Sequence, residues 1–186
     1  MVRLAIIGVA VGCLASLNAS TLQRLSLNDM VLKSTMIVRG KVQPGTSAAL
    51  RGALIYTHYQ LSVTTTYKGT PAGQTVDVAV PGGRLNGLLQ PVAGAPTLTS
   101  GQDYVLFLWT SKSGLTQVIG LSQGLFSVTT NAQGQAMVSR GAANATILNA
   151  SGNVVPDSSM QMPLSQLVST IQSVLSGASG AGSSGQ

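Results

Sequence analysis

The sequence predicts a mainly β domain with a short helix on its N-terminal side and an amphipathic helix near its C-terminus. Residues 55–67 alternate apolar and polar side chains with the two-residue period of a half-buried strand. Short β-rich segments recur from Met36 to Val138, separated by Gly, Pro and Asn turns, as in a barrel or sandwich of antiparallel strands. Leu164, Leu167, Val168, Ile171, Val174 and Leu175 fall on one stripe at helical spacing.

Taken in order, Leu22, Leu25, Leu27, Met30 and Val31 recur at helical spacing. Ser26 suits the N-cap of a helix running to Lys33, and Asp29 falls at its third position, where a carboxylate favours the positive helix end. Met36 to Val42 reads as a compact strand ended by the turn chemistry of Pro44-Gly45. In the next strand, Ile55, Tyr59, Leu61, Val63 and Tyr67 form the buried set, and His58, Gln60, Ser62, Thr64, Thr66 and Lys68 the wet one. A turn at Lys68–Gly73 leads to a strand over Thr75–Val80, which Pro81-Gly82-Gly83 stops. Tyr104 to Trp109 is apolar without alternation, so both its faces require cover and it belongs in the middle of the sheet. Thr116–Leu121, Leu125–Thr130 and Gln135–Val138 supply further strands, and the final helix spans Leu164–Leu175 with Pro163 at its first turn.

These elements divide the 186 residues into a leader at 1–20, a β-barrel domain with its helix at 21–140, an extension ending in the amphipathic helix at 141–176, and a flexible Gly/Ser tail at 177–186. The leader has the form of a secretory signal: Arg3, then an apolar run from Leu4 to Leu17, then small residues at Ala15, Ser16, Ala19 and Ser20. The run is shorter than the ~20 residues a stable membrane span needs. Val11-Gly12-Cys13 also has the small residue that precedes a lipidated cysteine, which gives a membrane-anchored lipoprotein as the alternative to a secreted or periplasmic protein.

Composition narrows the function. The chain has no Glu, four Asp, one His (His58) and one Cys (Cys13), so paired acid–base groups and metal-ligand sets are hard to assemble. No cofactor, metal site or catalytic residue is assigned. The ten Lys and Arg give a net charge of +6, but they are scattered singly, unlike the gathered basic face of a nucleic-acid binder. His58 with Asp77 or Asp103 and a serine could be drawn as a triad, yet no Gly-x-Ser-x-Gly elbow occurs, and a hydrolase is the least supported reading. Pro81 to Gly87 with Arg84 could face an anion, but it lacks the Lys-Ser/Thr ending of a phosphate loop. Trp109, Tyr56, Tyr59, Tyr67 and Tyr104 could form a stacking platform, although packing accounts for most of them.

The strands Ile37–Val42, Tyr59–Val63 leading to Tyr67-Lys68-Gly69, Thr75–Val80 and Gly101–Phe107 resemble those of netrin-like barrels, which include the tissue inhibitors of metalloproteinases. With the block Ile119–Phe126, the chain also resembles uncharacterised secreted bacterial β-domain proteins. The resemblance spans roughly residues 30 to 130 and implies a closed or partly open antiparallel barrel of the oligonucleotide/oligosaccharide-binding (OB) type. Those inhibitors act through an N-terminal disulfide-held Cys that has no counterpart after residue 20, so protease inhibition does not carry over.

The segment Gly82–Pro96 is the functional candidate, because it sets Arg84, Leu85, Leu88, Leu89 and Val92 among glycines and prolines in a long excursion. Apolar side chains there suit another extracytoplasmic protein surface, unless they fold back as a lid over the barrel end. The leading expectation is an exported, non-enzymatic binding module, accessory to another secreted protein or protease. The alternative is a self-associating surface or matrix component, suggested by low charge and abundant Gly, Ser, Thr and Ala.

Overall fold

The computed structural model describes residues 21–181. The leader, with Cys13 inside it, and residues 182–186 of the tail lie outside them. Strand β1 (Thr21–Gln23) leads into helix α1 (Leu27–Lys33). There the Ser26 hydroxyl accepts the Asp29 amide at 3.0 Å while the Asp29 carboxylate accepts the Ser26 amide at 3.1 Å, a reciprocal capping box. The Ser26 hydroxyl, its amide and then Lys33 hold the Asp29 carboxyl below its ordinary range, against a small opposing effect of burial. At the other end, Lys68 Nζ donates to the Val31 and Leu32 carbonyls at 2.7 and 3.0 Å, satisfying oxygens that have no partner within the helix.

The main sheet is antiparallel and has β7 (Asp103–Thr110) at its centre. On one side of β7 lie β2 (Met36–Arg51), β3 (Leu54–Lys68) and β4 (Thr75–Pro81), in that order. On the other side lie β9 (Leu125–Thr130), β10 (Ala136–Arg140) and β12 (Met160–Pro163), while β8 (Thr116–Val118) also pairs with β7. The unbroken apolar run of β7 serves both faces. Tyr104, Leu106 and Leu108 join Val38, Leu61, Val78 and Val118 in one core. Val105 and Phe107 join Met30, Phe126, Leu167 and Ile171 in a second, which α1 and α2 (Leu164–Ala181) cover. The sheet curls until β8 lies against β4, but no hydrogen-bonded ladder joins them and the strand path ends at β12 and β4. The closed form of the expected barrel is therefore not made. With only three residues, β8 offers few groups to pair, and the closing Pro81 of β4 has no N–H to give.

Three further expectations are corrected. Pro44-Gly45 does not end the first long strand: β2 continues to Arg51, and the pair sits at a register irregularity between Val42 and Thr46, with Gly45 at φ 86°. The same residues that make a turn also make a bulge that bends a strand without reversing it. In β3, the register passes from Gly40↔Val63 to Arg39↔Thr65. Skipping Thr64 flips the parity, so Tyr67 packs in the helix-covered core while Leu61 and Val63 pack in the other. Helix α2 runs past Leu175 and occupies 177–181, where a flexible tail was expected.

Two elements fasten the C-terminal extension. Strand β1 pairs in parallel with β11 (Thr146–Leu148). Arg140 donates to both oxygens of Asp157 at 3.1 and 3.0 Å, and both side chains are almost completely buried. Burial pushes the Asp157 carboxyl up, but the Ala143 amide, the Arg140 bonds and charge, and the Ser158 amide together bring it below its ordinary value.

Candidate functional site

Beyond Lys41, β2 no longer pairs with β7, and before Tyr56, β3 no longer pairs with β4. Residues 46–49 therefore pair with Tyr56–Tyr59 alone, and Leu50-Arg51 with Leu54-Ile55 form a two-stranded tip that ends in the turn at Gly52-Ala53. The excursion after β4 forms a second hairpin of β5 (Gly83–Leu85) and β6 (Leu88–Gln90). Its turn is Asn86-Gly87, with φ of 49° and 79°, the left-handed pair that a two-residue hairpin loop requires. Added Cβ atoms on Gly52 and Gly87 would meet nothing within 4 Å, so both turns stand in open space.

One side chain ties the hairpins together. Gln90 Oε1 accepts the Ile55 amide at 2.6 Å, and Gln90 Nε2 donates to the Ala53 carbonyl at 3.1 Å. The Gly82 amide donates to the Ile55 carbonyl at 2.7 Å, and the Thr57 hydroxyl donates to the Gly82 carbonyl at 2.8 Å. Gly83, at φ 139°, lies so close to Thr57 Oγ1 that a Cβ there would overlap it. The excursion is thus a hairpin docked on the ribbon by polar contacts at its base.

This arrangement exposes a group of leucines. Leu50, Leu54, Leu88 and Leu89 are 60, 39, 69 and 62% exposed, large values for apolar side chains on regular strands. Arg84 stands opposite Leu89 and Leu85 opposite Leu88 across the second hairpin, while Arg51 stands opposite Leu54 across the first. Arg51 and Arg84 are exposed, and Leu85 is half-buried. Of the expected site residues, Arg84, Leu88 and Leu89 therefore reach solvent together. Val92 is half-buried, and with Thr57, Tyr59, Val80 and Leu89 it lines a shallow pocket of about 240 Å³ at the hairpin base.

Leu50, Arg51, Leu54 and Gln90 were not singled out from the sequence. The signal for the first three was Gly52 inside a run that otherwise suits two strands, and Asn86-Gly87 similarly marks the second hairpin. Gln90 carries no sequence signal, because its role depends on a strand 35 residues away.

The other candidates are dispersed or incomplete. His58 Nδ1 lies 2.8 Å from Asp77 Oδ2, and Gln60 donates to the other Asp77 oxygen at 3.1 Å. Among the described residues no serine hydroxyl hydrogen-bonds that imidazole, and Asp103 is held by Arg39 at 2.6 Å. The hydrogen bond to Asp103, aided by its charge, raises the Arg39 pKa against the opposing effect of partial burial. Tyr59 and Tyr104 pack in one core and Tyr67 in the other, whereas Trp109 is 44% exposed, so the aromatics form no common platform. Among the described residues no cluster of three His, Cys or Asp side chains is placed to hold a metal, and no helix is long and apolar enough to cross a membrane. Compared with protein-family profiles, curated proteins and solved structures, the chain matches none of them.

Proposed function

We propose that this protein is an exported, non-enzymatic binding module whose contact surface is the pair of hairpin tips. The observation that carries this reading is the exposure of Leu50, Leu54, Leu88 and Leu89 on strands tied together by Gln90. Exposed apolar side chains on a supported scaffold lose little conformational freedom on binding, so their burial contributes to affinity. On this reading the curled β4-β3-β2-β7-β8 arrangement is a partly open barrel of the OB type that displays the tips, and the leader directs export. The self-associating alternative is disfavoured by Arg51 and Arg84, since copies meeting tip to tip would place like charges together.

Affinity capture from the envelope and culture fluid of the producing cells, followed by mass spectrometry, tests the proposal. The tagged parent chain is expected to retain material that the L88S/L89S variant loses, while both show the same thermal transition. Equal retention by the two, or retention of the chain alone in large species, counts against it.

A further inference from the structure

We infer that the hairpin tips dock on an anionic lipid surface, with the leucines entering the headgroup boundary and the arginines facing phosphates; the inference rests on the tips being the contact surface. Three observations favour lipid over a protein partner. The tips protrude: residues 50–55 extend past the ladders to β7 and β4, and Gly52 and Gly87 stand in open space. A protein partner would need a matching concavity, whereas a bilayer boundary deforms around protruding side chains. The apolar surface is also small. Four partly exposed leucines beside two cations are enough for reversible membrane docking by apolar insertion combined with cation–headgroup attraction.

Charge supplies the third argument. Each tip carries one exposed arginine beside its leucines, Arg51 across from Leu54 and Arg84 across from Leu89. No Asp or Glu occurs in residues 46–56 or 83–92. Two uncompensated guanidinium groups at the level of the leucines match a phosphate-bearing interface, to which each basic residue adds roughly tenfold or somewhat less in partitioning. A second copy of the same tips would repel them.

The test is flotation of the chain, purified from the cells that make it, with vesicles of phosphatidylcholine alone or with one-third phosphatidylglycerol. Binding is expected on the mixed vesicles, with much less on neutral ones and a decline as salt is raised. L88S/L89S should weaken it by about tenfold or more through lost apolar burial. R51Q/R84Q should weaken it by a similar factor on mixed vesicles and leave neutral ones unchanged. Both variants change exposed side chains, and matching far-UV spectra and thermal transitions confirm folding. Equal binding of parent and both variants, or no binding of the parent, overturns the lipid assignment. If the parent ignores vesicles but captures one protein that L88S/L89S loses, the contact surface stands and its partner is a protein. If the parent binds neither, both readings fall.

Discussion

Asp157→Asn should destabilise the fold far more than a surface change, because it leaves Arg140 charged and buried without its counter-ion. The pair's side chains are 6 and 4% exposed, Arg140 bonds both carboxylate oxygens, and the Ala143 amide donates to one of them at 2.7 Å. Breaking a buried ion pair by removing one partner costs about 3–5 kcal/mol, against ~0–1 kcal/mol for an exposed pair. Asn keeps the shape and one acceptor oxygen, so we place the loss near the lower end, about 3 kcal/mol. For a domain of this size the urea slope is about 2 kcal/mol/M, so the midpoint should fall by roughly 1.5 M at unchanged slope. The double variant R140M/D157L removes both charges and should recover much of the loss, since apolar replacement of a buried pair is often close to neutral. A D157N midpoint within about 0.3 M of the parent would refute the burial argument, because it corresponds to a surface substitution of about 0.5 kcal/mol.

Acid should destabilise the parent by a related route. The folded chain holds the Asp29 and Asp157 carboxyls below the ordinary carboxylate range, Asp29 through its bonds to Ser26 and Asp157, despite burial, through the Ala143 amide and Arg140. Their stabilising contribution is therefore complete above the unfolded pKa and lost as pH falls through the lower folded values. Urea midpoints measured from pH 6 to pH 2 should show a fall concentrated below pH ~4, with a smaller fall in D157N. Gly40→Ala places a Cβ against the Ser62 carbonyl in the middle of the sheet, and we expect a loss of about 2–4 kcal/mol in the same assay. Leu167→Ala should cost about 2–5 kcal/mol, since Leu167 is fully buried where α2 meets the sheet. Gln90→Ala should cost only about 1 kcal/mol but raise amide exchange at Ile55 and across 83–90, because the tie between the hairpins is lost.

Local chemistry made much of the scaffold legible. The Ser26 N-cap, the two-faced run in β7 and the apolar stripe of α2 each depend on residues near one another in sequence, and each is present, although the capping box adds a reciprocal bond and α2 runs past the expected end. The breaks in pattern come from tertiary context. Pro44-Gly45 serves a bulge instead of a turn because Thr46 to Leu50 find partners in Tyr59 to Ile55. Thr64 drops out of register and sends Tyr67 to the opposite core, which periodicity alone cannot reveal. The short strands β1 and β11 pair with each other across more than a hundred residues, and three residues each are too few to make a periodic signal.

The candidate site was half visible for the same reasons. Arg84, Leu88 and Leu89 stood out because a long excursion rarely carries so many leucines without a use. Leu50, Arg51 and Leu54 belong with them only because β2 and β3 outrun their neighbours, and that depends on where β7 and β4 stop pairing. The cross-tie through Gln90 turns two separate turns into one surface.

The measurement that tests the paired tips most directly is amide hydrogen exchange of the parent chain, free and bound to phosphatidylglycerol-containing vesicles or to the envelope fraction of the producing cells. The account predicts protection concentrated at residues 50–55 and 84–90, with the faces of β9, β10 and α2 unchanged. Protection centred on α2 or β12, with the tips exchanging as in the free chain, would contradict it.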